Sequence, residues 1–431
     1  MSSLSRRGMM KMAIGAGLSL AATRSMLLAA VDGTRALHGG KPVRVGFVGV
    51  GSRGTGLMRI TLRFPGVEVP AVCDINPDAT QRAQKVVEEA LGKRPDTYDK
   101  GPHDYRRLLE RDDIDAVVIS TPQEQHAEQS IDTMKAGKFC APEVPAAITL
   151  DELWALVRAQ RETKAGYMML ENYLYSQPVM MVQNMADQGV FGDLTYSFGS
   201  YIHEIRSLRF DADGSLNWRG HNILKNRGII YPTHAIGPVA RWMGVDGKKD
   251  RMATLVAMDS KSAATQAWAA EKFGADSDAA KVQFEMGDNN HALIRTADGK
   301  LIEIRYDTAS PRPHGMGEYS LQGTKGAYGS VFGQRNLYIE GRSPRNQWEP
   351  LDKYVDEYQH KYWREQGEQA LTTGHGGADW FTIADFLEAV RTGESPIDVY
   401  ESADWSALRP LSQDSIRGGY KPVEFPDFRK G

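Results

Sequence analysis

The residues best suited to chemistry fall into two groups far apart in the chain. The first is Gly49-Val50-Gly51-Ser52-Arg53-Gly54, a G-x-G-x-x-G, with Asp74 placed 20 residues past Gly54. Glycines at these positions allow a tight turn and let a pyrophosphate approach backbone N–H groups at the start of a helix. An acid at the Asp74 spacing accepts from a ribose 2′-hydroxyl and repels a 2′-phosphate, which favours NAD over NADP. The second group is Tyr231 and His234. A neutral imidazole can take a proton near pH 7, and the three-residue spacing lets both side chains share one face of a helical turn. Other chemistries lack their spacings. The 10 histidines include no H-E-x-x-H pair, the two cysteines are far apart, and no G-x-S-x-G occurs, so neither a zinc site nor a serine hydrolase is indicated and no metal is expected.

These groups need elements to hold them. Residues 43–50 are apolar and read as a buried parallel strand feeding the glycine turn. Residues 67–73 read as the second strand, ending at Asp74. Residues 114–120 are a third, followed by Thr121-Pro122-Gln123-Glu124, which has the form of a capping box with proline at the first helical position. A helix to about residue 136, a strand over 138–141, a second capping box at Thr149 and Glu152, and a strand over 167–170 leading to Glu171-Asn172 complete the alternation. Regular βα alternation predicts a doubly wound parallel sheet. Past residue 191 the texture changes to strand-like runs over 194–205, 253–258, 279–286, 291–296, 300–307, 318–323 and 329–339, several alternating polar with apolar. Residues 341–376 show few clear elements, and 378–391 form an amphipathic helix suited to packing back on the body. The fold expected is α/β: an N-terminal Rossmann domain over 36–190, then an α+β domain over 191–431 with an open, mostly antiparallel sheet.

The chain has 431 residues, 41% hydrophobic and 25% charged, enough apolar material for two or three cores. Lysine and arginine total 52 against 55 acidic residues, so no basic excess points to nucleic acid. The N-terminus reads as an address. Arg6-Arg7 precede a short apolar run over 12–22, and alanines surround Ala29-Ala30. A basic segment, a short apolar core and small residues make a signal peptide, and the adjacent arginines resemble a twin-arginine signal. The run is too short for a membrane span of about 20 residues. The expectation is a periplasmic or secreted protein, exported folded, whose residues 1–35 are removed and whose mature part has no membrane span. Cys73 and Cys140 fall in expected interior strands and read as buried, unpaired thiols.

Together with the glycine turn, Cys73-Asp74, Ser120-Thr121-Pro122 with His126, and Glu143-Val144-Pro145 resemble the glucose–fructose oxidoreductase / inositol dehydrogenase superfamily. Its sugar dehydrogenases usually carry Lys where this chain has Val144, which cannot take a proton. Glu143-Val144-Pro145, Glu171-Asn172-Tyr173, Tyr231-Pro232-Thr233-His234 with Gly237-Pro238, Gln322 to Gly326, His375 to Trp380 and Asp398-Val399-Tyr400 look together like glycoside hydrolase family 109. The resemblance implies an NAD-dependent α-N-acetylgalactosaminidase whose cofactor does the hard chemistry. In that scheme NAD takes a hydride from sugar C3, a base removes the acidified C2 proton, the aglycone leaves by elimination, water adds, and the hydride returns. The resemblance also assigns roles. Gly49, Gly51, Ser52, Arg53, Gly54, Asp74, Gln123, His126, Glu143, Val144, Asn172 and Tyr231 match cofactor positions. Tyr201, Arg219, Tyr231, His234 and His314, which stands where a Tyr is usual, match sugar-contacting positions. His234 and Tyr231 are the expected catalytic residues. His375 and Asp379 read first as a turn followed by a helix cap, with a site role open. The expected partners are a small-molecule glycoside or glycan and, through the open sheet, a second copy of the chain. Two other activities stay open: an exported NAD-dependent sugar or polyol oxidoreductase, and a non-catalytic sugar-binding member of the fold.

Overall fold

The computed structural model describes residues 42–313, 315 and 317–430. The expected export signal and His314 lie outside the described residues. β1 (Val43–Val48) is buried along nearly its whole length, as an apolar run must be in a sheet covered on both faces. It feeds the glycine turn and α1 (Ser52–Thr61). The predicted second strand is two short ones, β2 (Val67–Glu68) and β3 (Ala71–Cys73), paired with the start and the end of β1. Pro70 separates them because it has no N–H to give to a ladder. α2 (Pro77–Leu91) follows, capped by Asn76, then β4 (Asp96–Tyr98), α3 (Tyr105–Leu109) and β5 (Ala116–Ile119). The capping box expected at Thr121 does not form. Thr121 Oγ1 donates instead to Gln129 (2.7 Å), a 3-10 turn occupies Gln123–Gln125, and α4 (His126–Lys135) begins without a side-chain cap. After β6 (Phe139–Pro142), α5 (Leu150–Thr163) starts with the capping box predicted at Thr149 and Glu152.

The strand order is β4-β3-β1-β5-β6, with β2 also beside β1, and every pair is parallel. The chain leaves β1 on one side and returns on the other, so the ends of β1 and β5 frame the kind of switch point where α/β sheets bind ligands. Residues 167–170 extend the sheet beyond β6. Met168 and Leu170 N–H donate to the Cys140 and Pro142 carbonyls (3.0 and 2.9 Å), and the regular ladder is a single bridge, Cys140–Tyr167. One edge of the sheet thus carries Gly49, Asp74, Ser120, Glu143 and Glu171, each just past the end of a strand. Cys73 and Cys140 are buried and unpaired.

The rest of the chain runs through α6 (Gln177–Asp187), β7 (Leu194–Ile202), α7 (Trp218–Lys225), α8 (Thr233–Trp242), β8 (Met252–Asp259), α9 (Ala264–Phe273), α10 (Asp278–Lys281), β9 (Asn289–Thr296), β10 (Leu301–Asp307), β11 (Tyr319–Gly323), β12 (Gly326–Val331), β13 (Gln334–Ile339), β14 (Glu349–Pro350), α11 (Val355–Tyr358), α12 (Lys361–Ala370), α13 (Ala378–Thr392), α14 (Val399–Arg417) and β15 (Val423–Glu424). Its nine-stranded sheet has the order β14-β13-β12-β11-β7-β10-β9-β8-β15. Only β7 with β10 is parallel; the other pairs are antiparallel.

Three expectations here need correction. Residues 279–286 are not a strand, because the Ser277 side chain accepts from Ala280 N–H (3.2 Å) and starts the helical turn α10. Residues 329–339 are a hairpin, because Phe332 and Gly333 both take positive φ (50° and 79°), as a two-residue turn between twisted strands requires. Within 341–376 stands α12, polar over most of its surface and anchored by buried Trp363, whose Nε1 donates to the Tyr175 carbonyl (2.9 Å).

One face of the second sheet is covered and the other open. Along β9, buried Ala292 and Ile294 alternate with exposed His291, Leu293 and Arg295. α8 lies on the covered face, where a Cβ on Gly199 would fall 2.2 Å from the Ala235 carbonyl oxygen. Glycine in β7 is therefore what lets α8 approach so closely. α13 packs back on α1, as expected, and α14 touches both α5 and β8, tying the two sheets together.

Candidate active site

A cleft of about 430 Å³ runs between the ligand-binding edge of the parallel sheet and one end of the second sheet. The first wall is mostly main chain. Gly49 takes φ 83°, and a Cβ there would sit 2.7 Å from the Ser120 carbonyl carbon. A Cβ on Gly54 would lie 1.9 Å from the Gly49 carbonyl oxygen, whereas one on Gly51 would meet nothing within 4 Å. Gly49 and Gly54 therefore close the turn, and Gly51 keeps the cleft side clear. α1 starts at Gly51 with no side-chain cap, so its first N–H groups can receive a phosphate. The buried Ser120 hydroxyl oxygen, also in this wall, has no protein partner. Asp74 is fixed by two backbone donors, Val50 N–H to Oδ2 and Asn76 N–H to Oδ1 (2.9 Å each). A carboxylate so held keeps further lone pairs for ribose hydroxyls. These residues fit a dinucleotide with a free 2′-hydroxyl.

Arg53 is clamped between carboxylates. Its Nε donates to Glu143 Oε1 (2.6 Å), and Nη1 and Nη2 to Asp379 Oδ2 and Oδ1 (2.8 and 3.0 Å). Asp379 also takes His375 Nδ1 (2.8 Å) and Asn172 Nδ2 (2.8 Å). Burial works against the Arg53 charge, but Glu143 and Asp379 outweigh it and hold the guanidinium above its ordinary value. Burial likewise opposes the Asp379 charge; the His375 bond and Arg53 prevail and hold its carboxyl well below the usual range. His375 and Asp379 are thus more than a turn and a cap. They join α13 to the glycine turn.

Most of the expected cofactor residues line the cleft: Gly49, Gly51, Ser52, Arg53, Asp74, Gln123, His126, Glu143, Val144 and Tyr231. Gly54 and Asn172 sit behind that wall. His126 is 1% exposed and braced between two carbonyls, Pro145 through Nδ1 (2.8 Å) and Thr121 through Nε2 (2.9 Å). Gln123 is buried and accepts from Arg409 Nη1 (2.6 Å).

The opposite wall is made of side chains. Tyr201 from β7, Arg219 from α7 and Tyr231, just ahead of α8, all line it. Tyr231 precedes the helix rather than sharing its first turn with His234, because α8 begins at Thr233 with Pro232 at its cap. The rings still meet, with centroids 5.0 Å apart for Tyr231–His234, 5.2 Å for Tyr201–Tyr231 and 5.5 Å for Tyr201–His234. Burial, then the Glu143 charge, pushes the Tyr231 hydroxyl well above its ordinary value, so it stays protonated. His234 sits one layer behind, 5% exposed and outside the cleft lining. Its Nδ1 lies 2.7 Å from Glu171 Oε1. A carboxylate facing Nδ1 accepts from that nitrogen, which leaves Nε2 as the ring nitrogen turned away from Glu171. Glu171 is fully buried, and its Oε2 has no hydrogen-bond partner. Its position just past the strand-like segment 167–170, on the ligand-binding edge, is the signal that could have marked it as a site residue.

A parallel-sheet dinucleotide wall facing a side-chain wall on an open sheet defines a two-domain protein with an NAD-binding oxidoreductase fold. Residues 43–171 match the model of the oxidoreductase family with an NAD-binding Rossmann fold, and residues 175–431 match that of the glycosyl hydrolase 109 C-terminal domain. The chain is 38% identical over 440 residues to a glycosyl hydrolase family 109 protein of Solibacter usitatus, covering 100% of this chain and 98% of that protein. It is 37% identical to one from Stenotrophomonas maltophilia, covering 91% and 90%. The chain belongs to glycosyl hydrolase family 109 and binds NAD in its Rossmann domain. Among solved structures, levoglucosan dehydrogenase in complex with NADH and levoglucosan shares the fold (TM-score 0.69, 20% identity, 90% of this chain and 100% of that one). So does the WlbA dehydrogenase of Bordetella pertussis with NADH and UDP-GlcNAcA (TM-score 0.62, 18% identity, 90% and 99%).

Proposed function

We propose that the protein hydrolyses α-N-acetylgalactosaminides with a tightly held NAD and no net redox change. The observation that carries this is the buried Glu171–His234 pair, set directly behind Tyr201 and Tyr231 on the wall facing the glycine turn. Gly51 and the start of α1 hold the pyrophosphate, and Asp74 the ribose. NAD bound there would supply reversible removal of a hydride from a sugar carbon bearing a hydroxyl, whose proton passes to water in the cleft and returns with the hydride. We assign His234 the proton beside the oxidised carbon: with Glu171 against Nδ1, Nε2 is the nitrogen that must reach past Tyr231 to the sugar for this to happen. Tyr231, neutral at the working pH, donates a hydrogen bond to a sugar oxygen, and Tyr201 and Arg219 orient the ring. Val144 stands where the superfamily's sugar dehydrogenases usually carry Lys, so the side chain at this place cannot accept a hydroxyl proton, which sets the chain apart from that branch.

The test is to denature freshly purified protein and assay the dinucleotide released, then measure turnover of an aryl α-N-acetylgalactosaminide. Near-stoichiometric dinucleotide with catalytic turnover supports the reading. Accumulation of NADH in proportion to product favours the oxidoreductase alternative, and sugar binding without either favours a non-catalytic role. We also propose export through the twin-arginine pathway, tested by whether Arg6→Lys with Arg7→Lys traps the precursor in the cytoplasm. A homo-oligomer through the open sheet is proposed from its exposed apolar residues, Met258, Leu293 and Leu301. Sedimentation of Leu293→Glu against the native chain tests it.

A further inference from the structure

We propose that the second-sheet wall of the cleft binds an acidic group, a carboxylate or a sulfate ester, carried by the sugar substrate. The inference rests on reading the cleft as a sugar site. Three arginines cluster there. Arg209 and Arg219 line the cleft, and Arg409 of α14 lies immediately behind it. Arg409 Nη1 and Nη2 donate to Gln123 Oε1 (2.6 Å) and Asn222 Oδ1 (2.9 Å), and both acceptors line the cleft. Arg209 Nη2 donates to the Thr308 carbonyl and hydroxyl (2.9 and 2.7 Å), and that hydroxyl lies 3.4 Å from Tyr306 OH in the same wall. Arg219, an exposed residue overall, rests over the Trp218 ring, 4.3 Å from its centroid.

None of the three forms a salt bridge with a carboxylate among the described residues. The contrast with Arg53, clamped by two, is sharp. The carboxylates lining the cleft are Asp74 and Glu143, and both are already engaged on the opposite wall. Arg409 and Arg209 are 1% and 3% exposed, and Arg409 Nε has no hydrogen-bond partner among the described residues. The charges of Asp288 and Glu204 reach Arg209, and those of Glu124 and Glu152 reach Arg409, only from beyond contact, and a buried cation with no carboxylate in contact is costly to keep. Burial draws Arg409 down to about 10 and lowers Arg209 and Arg219 as well, yet a guanidinium stays charged at neutral pH. An anion entering this end would supply the missing charge, and guanidinium groups match carboxylate and sulfate oxygens in paired hydrogen bonds. The cofactor is a second source of anions, but its pyrophosphate has its own receptor in Gly51 and α1 on the facing wall.

Calorimetry on the full-length, NAD-loaded protein tests this without requiring turnover. The probes are N-acetylgalactosamine 6-sulfate against N-acetylgalactosamine, and galacturonic acid against galactose. At least one acidic sugar is expected to bind about tenfold more tightly than its neutral counterpart at low salt. That advantage is expected to shrink as salt rises. Arg219→Gln, at an exposed position, is expected to remove most of it while bound NAD stays unchanged. Equal or weaker binding of both acidic sugars overturns the proposal. So does loss of NAD in Arg219→Gln, which would assign the arginines to the cofactor's phosphates. If an aryl N-acetylgalactosaminide is hydrolysed while acidic sugars gain nothing, the hydrolase reading survives and this inference fails. Tight acidic-sugar binding with no glycoside turned over supports the inference and removes the hydrolase reading.

Discussion

The wall of the cleft on the parallel sheet works through main chain. Its glycine turn, helix start and backbone-anchored Asp74 come from two consecutive βα units. The wall on the second sheet works through side chains, gathered from β7, α7, the start of α8 and, behind them, residue 171 and α14. The first wall is a receptor that any chain of this fold can offer to a dinucleotide. The second holds an imidazole paired with a carboxylate, three tyrosines, and arginines with no carboxylate in contact among the described residues. The cofactor is therefore set by local geometry, and the reaction by long-range assembly across α8, α14 and the two sheets.

Substitutions in the two walls should separate these jobs. The largest effect is expected from His234→Ala, which should cost on the order of 10²–10⁴-fold in turnover while the protein keeps its NAD. Near-normal turnover would remove His234 as the base. Glu171→Gln should cost roughly 10–100-fold, the scale typical of a lost orienting carboxylate, again with NAD retained; unchanged kinetics would mean that Glu171 is only structural. On the other wall the order reverses. Gly54→Ala should lower stability by about 1–3 kcal/mol, because its Cβ collides with the Gly49 carbonyl. Gly51→Ala should leave the melting temperature of the dinucleotide-free protein unchanged and abolish NAD retention. Equal melting losses in the two would contradict the division of labour between these glycines. The smallest effect concerns the clasp that joins α13 to the glycine turn. Asp379 has a depressed folded value, so its stabilising contribution is present above the unfolded carboxylate value near pH 4 and lost as pH falls below it. Asp379→Asn should therefore flatten the acid limb of the stability curve below about pH 4, read by denaturant midpoints. Identical limbs would show that the clasp adds nothing.

The same contrast explains what can be read from the chain alone. The glycine turn, Asp74 and the βα alternation are local signals, because each element's partner is set by its neighbours in sequence. The open antiparallel sheet is visible through alternation in β9 and β10. Where local chemistry is overridden, the sequence pattern misleads. Thr121 spends its hydroxyl on Gln129 instead of capping a helix. Ser277 starts a helical turn just ahead of the strand expected over 279–286. Phe332 takes positive φ where nothing in its side chain announces a turn. The Arg53–Asp379 and Glu171–His234 pairs span 326 and 63 residues, so no spacing rule reaches them. Arg409 lies in the buried helix α14 among Leu408, Leu411 and Trp405. A charged residue in such a stretch is itself a sign of polar partners, although not of which ones.

Hydrolysis of an aryl α-N-acetylgalactosaminide in deuterated water, with the released sugar read by NMR and the cofactor by absorbance, probes the shared work of the two walls most directly. Deuterium at C2 of the sugar, with no NADH accumulating as product forms, is the expected result. A released sugar that carries only hydrogen at C2, or NADH rising mole for mole with product, would contradict a borrowed and returned hydride.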